Sequence, residues 1–276
     1  MADDKPVRLG SVTLTTPSTV ERVVHMLLWG PSGAGKTVLA STFPGKKLWL
    51  QFDPEGTASL GASRDDIVIA DFSQRPPSYV EEFKYPDPCG ISRIIQEQGI
   101  NTIICDSVTA FQDAALQHGV RHAAGTAQHK SVTLEDPGYG GYGRRKTWTM
   151  SLFMNILAVA QQNKCHTCFI SHEDSPEKDK EGNIMYISML LGADLPDKAG
   201  LQVGEIWNLT DSGGVRKIMV RAARMKKPIK SRMFDASKEP EFTWRYNQSA
   251  PDHAHTVAAW IEQWKANSFN KIPLPK

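Results

Sequence analysis

Short apolar runs alternate with polar turns along the chain and predict alternating strands and helices. Three of the runs, at residues 23–28, 47–52 and 102–105, are short, and each is followed by a glycine-rich turn or by carboxylates. Such runs are typical of buried parallel strands. Apolar residues at helical spacing follow at 38–43 and 91–98. This alternation predicts an α/β fold with a mainly parallel, twisted central sheet flanked by helices.

The same reading extends to the rest of the chain. Further strands are expected at 67–70, 168–170, 184–191, 203–210 and 216–222, and further helices at 146–162 and 255–267. Residues 73–90 are rich in proline, charge and aromatic residues and predict a surface loop, and residues 112–136 predict a polar helix and loop.

These elements divide the chain into three parts. We expect a loose N-terminal arm at 1–20, an α/β core at 21–240, and a C-terminal segment at 241–276. The C-terminal segment is expected to contain one helix that packs on the core and a disordered tail after Ser268.

One stretch fits a phosphate-binding loop at every fixed position. It runs Gly30-Pro31-Ser32-Gly33-Ala34-Gly35-Lys36-Thr37 and is followed by Val38 at the start of a predicted helix. Backbone N–H groups that hold phosphate oxygens must converge in one concavity, which requires residues without a clashing side chain. The following helix adds its positive dipole end, Lys36 addresses the β- and γ-phosphates, and the Thr37 hydroxyl is a ligand for Mg²⁺. The stretch therefore predicts binding of ATP and Mg²⁺, and the alternative is a chance glycine-rich turn.

Polar residues follow three of the predicted strands. Asp53 and Glu55 come after one, Asp106 ends another, and His172 follows a third. The carboxyl ends of parallel strands form the ligand-binding edge of an open α/β sheet. Asp106 is expected to orient Mg²⁺, and Glu55 is the candidate base because Ser107, not a glutamate, follows Asp106. His172 is a candidate donor to the γ-phosphate or an ordinary loop histidine.

The segment at 137–147 combines mobility, aromatic rings and charge. Its glycines predict a flexible loop, and its candidate contacts are Tyr139, Tyr142, Arg144, Arg145 and Lys146. Bases stack on aromatic rings while cations hold phosphates, so the segment predicts binding of single-stranded DNA. The alternative is a disordered surface loop.

Two clusters of metal-type residues have competing explanations. Cys165 and Cys168 form a C-x-x-C pair without a second pair at zinc-finger spacing, so a core strand is favoured over a metal or redox site. His118 and His122 are spaced for a shared metal but lack a nearby third ligand, which favours solvated helix positions.

Charge and hydropathy limit the remaining possibilities. The net charge of +2 does not by itself indicate nucleic-acid binding, so any basic surface is local. Between Arg216 and Arg232 there are eight cations and no acid, which predicts a solvated face or a source of cations for a neighbouring subunit's ATP. The polar, acidic start and the lack of a long apolar run predict a cytoplasmic protein without a membrane partner.

Taken in order, these landmarks resemble one family. The phosphate loop, the Asp53-x-Glu55 strand tip, the Asp106-Ser107-Val108-Thr109-Ala110 strand tip, the glycine-rich loop and Phe169-Ile170-Ser171-His172 resemble RecA-like recombinase ATPases. The similarity covers roughly residues 23–232. It looks closest to small phage-encoded nucleotide-binding proteins of single-strand annealing and recombination.

The resemblance implies roles for individual positions. Glu55 matches the glutamate that activates the attacking water, and Asp106 matches the magnesium-associated aspartate. His172 stands where RecA proteins usually carry a glutamine that senses the γ-phosphate. The segments at 137–147 and 173–183 match the two DNA-binding loops. Three cations, Arg224, Lys226 and Lys227, lie near where cations reach a neighbour's ATP.

From these features we expect a RecA-like P-loop ATPase. It would bind single-stranded DNA, self-associate into a ring or filament, and promote annealing or strand exchange in a phage-infected bacterial cell. A single-strand-binding protein is a further candidate partner. The alternatives are a hexameric helicase-type motor, a P-loop phosphotransferase that does not bind DNA, and a nucleotide-switched binding module.

Overall fold

The computed structural model describes residues 8–10, 12–13, 16, 22–61, 64–124, 132–192, 194–246 and 252–276. The N-terminal arm expected at 1–20 lies mostly outside these residues. Within it, Arg8–Leu9 pairs with Val12–Thr13 in a short antiparallel ladder.

An eight-stranded sheet forms the centre of the fold. Its strands in chain order are β1 (His25–Gly30), β2 (Lys46–Gln51), β3 (Ile67–Asp71), β4 (Ile100–Asp106), β5 (His166–His172), β6 (Glu205–Ser212), β7 (Val215–Met219) and β8 (Glu241–Thr243). The α-helices are α1 (Lys36–Ser41), α2 (Ile91–Gln98), α3 (Val108–Ala124), α4 (Gly138–Gln162), α5 (Leu195–Gln202) and α6 (Val257–Ala266).

The sheet is mostly parallel, as the sequence predicts. Its strand order is β8-β7-β6-β1-β5-β4-β2-β3, and the six strands from β6 to β3 are parallel to one another. Only β7 runs the other way, because it returns from β6 through a tight turn and pairs antiparallel with both β6 and β8. The order places β5 between β1 and β4, so the ends of these three strands are neighbours.

Both faces of the sheet are buried. Along β1, Leu27 and Trp29 point to one hydrophobic core while Met26 and Leu28 point to the other, as the two-residue period of a strand requires. One core includes residues of α2, α3, α4 and α5, and the other includes residues of α1 and α6. Burial on both faces explains why these strands are continuously apolar.

The prediction of a surface loop at 73–90 is wrong. Residues Pro77–Lys84 and Pro88–Gly90 form 3₁₀ helices, and Tyr79, Val80 and Phe83 are buried. The Phe83 ring lies 5.3 Å from that of Phe111 and 5.6 Å from that of Phe52, centroid to centroid. Burial of these aromatic rings therefore packs the segment against the core, whereas Pro76, Lys84 and Pro86 remain exposed.

The flexible loop predicted at 137–147 is also wrong, because helix α4 begins at Gly138. The glycines here permit close packing rather than mobility. A Cβ on Gly141 would lie 3.3 Å from Cγ2 of Val120, and a Cβ on Gly119 would lie 3.3 Å from the Gly141 carbonyl oxygen. Helices α3 and α4 thus approach each other so closely at these glycines that a Cβ would make unusually tight contacts.

Two further differences lie beyond the core strands. Within the strand expected at 184–191, Ile184–Tyr186 forms a short strand that pairs with Glu177–Lys178 outside the main sheet, and Ile187 and Met189 form isolated bridges. The disordered tail predicted after Ser268 is wrong, because Ile272–Pro273 pairs with Phe234–Asp235 and Ile272 is buried. Strand β8, which lies beyond the boundary drawn at residue 240, extends the central sheet.

No helix in the described part of the chain is long and apolar enough to cross a bilayer.

Candidate nucleotide-binding site

The phosphate-loop motif forms the turn between β1 and α1. A side chain at Gly30 is excluded because its Cβ would overlap the carbonyl oxygen of Leu209 on β6. Gly33 and Gly35 have φ angles of 78° and 95°, which residues with a Cβ rarely adopt. The path of the backbone therefore favours glycine at the two fixed glycines of the motif, Gly30 and Gly35, and at Gly33 between them.

Lys36 is folded back over the loop. Its Nζ donates hydrogen bonds to the carbonyl oxygens of Gly30 at 2.9 Å and Pro31 at 2.7 Å. Burial lowers the pKa of Lys36 to about 8, although the nearby carboxylates of Asp106, Asp53 and Glu173 oppose the shift. Lys36 therefore lies within the electrostatic reach of the acidic residues at the strand ends.

Thr37 and Asp106 meet directly. The Thr37 hydroxyl donates a hydrogen bond of 3.0 Å to Oδ2 of Asp106. Burial raises the pKa of Asp106 to about 7, against the effect of that hydrogen bond, and the charge of Asp53 raises it further. A cation bound here would favour the ionised carboxylate, because it would replace the missing solvation of the charge.

The two acidic residues after β2 have different environments. Asp53 is half-buried, and its backbone N–H donates to the Asp106 carbonyl oxygen at 3.4 Å. Burial raises the pKa of Asp53, but the adjacent His172 and Ser107 side chains outweigh burial and hold this pKa below its ordinary value. Glu55 is exposed at the rim of the same cleft. The sequence singled out Glu55, whereas the structure places Asp53 deeper in the site.

His172 lies between the phosphate loop and these carboxylates. It pairs in register with Gly30 of β1, and its Nε2 is 3.8 Å from Oδ2 of Asp53. Its backbone N–H donates to the Thr109 hydroxyl at 3.0 Å. The position follows from the strand order, because β5 separates β1 from β4.

These groups line one cleft of about 630 Å³, together with Ser59 and Arg216. That volume lies within the range of small-ligand sites in proteins. The chain's residues fit ATP with Mg²⁺, because the loop follows a backbone path with positive φ angles that favours glycine, as a phosphate-binding concavity requires, and Thr37 and Asp106 supply the oxygen donors that Mg²⁺ prefers.

Comparison with protein families agrees with this geometry. The family model for the AAA domain matches residues 22–241, which include every residue of the cleft. The chain belongs to the AAA domain family. Membership identifies this AAA domain as a P-loop NTPase and indicates a nucleotide-binding ATPase. No curated protein was found to match the chain.

The candidate DNA-binding residues lie on the first turns of α4 in the AAA domain. Tyr139 is 97% exposed and Tyr142 is 47% exposed. The Arg145 guanidinium lies 4.9 Å from the centre of the Tyr142 ring, and Lys146 Nζ lies 2.8 Å from Asp194. Arg144 donates to the Gly119 carbonyl oxygen on α3 at 3.4 Å. The rings are thus presented to solvent, while the three cations already have partners within the chain.

The three candidate trans-acting cations are not equivalent. Lys226 donates to Glu173 at 2.7 Å and to Asn208 at 3.1 Å, and its side chain is only 13% exposed. It is therefore held within its own subunit. Arg224 pairs with Glu241 but remains 68% exposed, and Lys227 is exposed beside the Tyr186 ring.

The metal-type clusters have ordinary partners. His118 lies 2.8 Å from Glu81 and packs against the Trp148 ring, while Cys165 and Cys168 are buried free thiols. Among the residues that the structure describes, no group of three His, Cys, Asp or Glu could hold a metal ion. His129, in the polar loop, lies outside the described residues.

The sequence patterns assign no individual role to Asp53, Ser107 or Arg216, which the structure places in the cleft or against its carboxylates. A signal existed for Asp53, because it directly follows the apolar run of β2. Arg216 had no local signal, since it reaches the cleft only through the return of β7 along the sheet.

Proposed function

We propose that this AAA domain is a Mg²⁺-dependent ATPase that couples ATP hydrolysis to binding of single-stranded DNA, self-assembles, and promotes annealing or strand exchange in phage recombination. The observation that carries the ATPase part is the convergence of Lys36, Thr37, Asp106 and the carboxylates after β2 in one cleft. The finer part rests on the exposed tyrosines beside cations on α4 and on the sequence resemblance.

Binding the triphosphate would move Lys36. Its present acceptors are two carbonyl oxygens of the loop itself, and a phosphate is a stronger, charged acceptor. Thr37 and Asp106 would hold Mg²⁺, which neutralises charge that develops on the phosphates. The protein's part is therefore mainly positioning and electrostatic stabilisation.

The two carboxylates after β2 have separate roles in the proposed reaction. Glu55, exposed at the rim, is the proposed base that orients the attacking water. Asp53 contacts His172 and so positions the imidazole next to the loop. His172 would then donate a hydrogen bond to the γ-phosphate.

The DNA part of the proposal uses the start of α4. Tyr139 and Tyr142 offer ring faces for base stacking, and Arg144, Arg145 and Lys146 lie within the next turn. The Lys146 pair with Asp194 is exposed, so a phosphate can compete for that cation. A rigid helix presents these groups in a fixed arrangement, which replaces the flexible loop that the sequence predicts.

The assembly part of the proposal uses the segment that connects β7 to β8. Arg224 and Lys227 are exposed there, together with Met225 at 59% exposure. An exposed apolar side chain between two cations suits a contact with a neighbouring subunit that holds a bound nucleotide.

A salt series with a labelled single-stranded oligonucleotide tests the DNA part. We expect Arg144→Gln, Arg145→Gln and Lys146→Gln together to weaken binding and to flatten the salt slope by about 2, since each lost phosphate contact removes about 0.7. The matched control replaces three exposed cations elsewhere, Arg93, Lys265 and Lys271, by Gln. Fluorescence anisotropy measures both.

The outcomes separate the alternatives. Equal slopes for the triple variant and the wild type would remove α4 from the DNA site. Wild type that turns over ATP but binds no oligonucleotide would favour a phosphotransferase or a nucleotide switch. Unwinding of a duplex would favour a helicase-type motor over an annealing protein.

A further inference from the structure

Arg216 reaches the phosphate loop from the flank opposite to the metal-binding residues. It lies on β7, two strands from β1 in one direction, whereas β4 with Asp106 lies two strands from β1 in the other. A Cβ on Gly35 would lie 3.3 Å from Nε of Arg216. The guanidinium group therefore lies against the last glycine of the loop, and it lines the same cleft as Lys36.

The surroundings of Arg216 hold it in this position. Its Nε lies 3.4 Å from Oδ2 of Asp211, and its guanidinium lies 5.9 Å from the centre of the Trp244 ring. The backbone N–H of Trp244 donates to the Arg216 carbonyl oxygen at 2.9 Å, and the indole N–H donates to the His255 carbonyl oxygen at 2.9 Å. A cation that is oriented in advance loses less entropy when it binds an anion.

The two flanks of the loop face different ends of a nucleotide. In a phosphate loop the backbone holds the α- and β-phosphates, and the lysine addresses the β- and γ-phosphates. Lys36, Thr37 and Asp106 mark the γ-phosphate and metal end, on the side of β5 and β4. The flank with Arg216 is therefore the side of the α-phosphate and the nucleoside.

We infer that Arg216 binds the α-phosphate of the nucleotide held by its own subunit. The inference rests on the proposed nucleotide site and adds a binding residue to it. Because ADP and ATP share the α-phosphate, Arg216 stabilises both complexes to the same extent. It thereby differs from His172, which the proposed function assigns to the γ-phosphate.

Calorimetric titration with ADP and with a non-hydrolysable ATP analogue, both with Mg²⁺, tests this role. We expect Arg216→Gln to weaken binding of both nucleotides by about tenfold, the usual effect of losing a hydrogen bond to a charged group. Arg216→Lys recovers part of the loss, because it keeps the charge without the planar fork. Arg245→Gln, an exposed cation next to Trp244, is the matched control and leaves both affinities unchanged.

Two results would overturn the inference. One is a loss confined to the ATP analogue, which would assign Arg216 to the γ-phosphate. The other is unchanged affinity for both nucleotides in an Arg216→Gln protein whose melting temperature matches the wild type. If Arg216→Gln unfolds, the nucleotide affinities of Arg216→Lys are compared with those of the wild type instead. Equal affinities of these two proteins would overturn the inference. A wild-type protein that binds neither nucleotide would refute the proposed function itself. That result differs from both results above, in which the wild type binds nucleotide.

Discussion

At the residue scale, the cleft contains two carboxylates after β2 that lie in different environments. Glu55 is exposed at the rim, and Asp53 is half-buried beside His172 and Ser107. A base must reach solvent-derived water, whereas a positioning carboxylate needs fixed partners. These environments match the two roles proposed above.

We expect Glu55→Gln to bind ATP with the wild-type affinity and to lose at least about a hundredfold in turnover, because the amide cannot orient and accept from the water. Lys36→Ala, in contrast, loses both nucleotide binding and hydrolysis. Single-turnover assays and titration with ATP measure the two effects. If Glu55→Gln kept full turnover and Asp53→Asn lost turnover, the catalytic base would be Asp53 and not Glu55.

A second residue-scale prediction concerns stability in acid. Asp66 accepts hydrogen bonds from Arg64 at 2.8 Å and Lys47 at 2.6 Å. The Arg64 contact, aided by Lys47 against partial burial, holds the pKa of Asp66 well below its ordinary value. The ionised form therefore stabilises the fold above the unfolded pKa of about 4, and this contribution is lost as the pH falls from there towards the folded pKa.

We expect Asp66→Asn to lower the free energy of unfolding at pH 7, by an amount limited by the partial exposure of Asp66. The difference from the wild type should narrow steadily once the pH falls below about 4. Urea titrations at a series of pH values measure it. A difference that is constant from neutral to acid pH would show that the pair contributes through packing rather than charge.

At the element scale, local patterns predict some elements and fail at others for identifiable reasons. The β1–α1 unit and β4 were predictable because their apolar runs and the glycine motif are contiguous in sequence. Residues 77–84 were not, because their burial depends on the Phe52 and Phe111 rings from distant elements. The prediction for the start of α4 failed because glycines in a sequence are compatible with a mobile loop and with closely packed helices alike.

Two glycines of α4 offer a matched test of that last point. We expect Gly141→Ala to destabilise the protein by about 1 to 3 kcal/mol, because its Cβ would lie 3.0 Å from Pro137 and 3.3 Å from Val120. Gly143→Ala has open space around the new Cβ and should stabilise by up to about 1 kcal/mol through helix propensity. Denaturant midpoints measure both, and identical small effects at the two positions would instead indicate a flexible loop.

At the scale of the whole molecule, the site is the product of strand order. The phosphate loop and Asp106 could be predicted because each is marked by its own sequence motif. Asp53 and His172 lie on one side of the phosphate loop, and Arg216 lies on the other. This placement follows from the strand order β7-β6-β1-β5-β4-β2, which no local sequence pattern encodes. The C-terminal segment completes the arrangement, since β8 carries the chain to Trp244 and His255 receives the indole hydrogen bond.

The proposed function requires that one cleft hydrolyses ATP and that single-stranded DNA bound on α4 stimulates this hydrolysis. The most direct measurement is steady-state ATP hydrolysis by the purified protein with and without single-stranded DNA, with Lys36→Ala as the baseline. We expect Mg²⁺-dependent turnover that rises severalfold with DNA and is absent in Lys36→Ala. Turnover that is the same with and without DNA would contradict the coupling, and turnover that persists in Lys36→Ala would contradict the site.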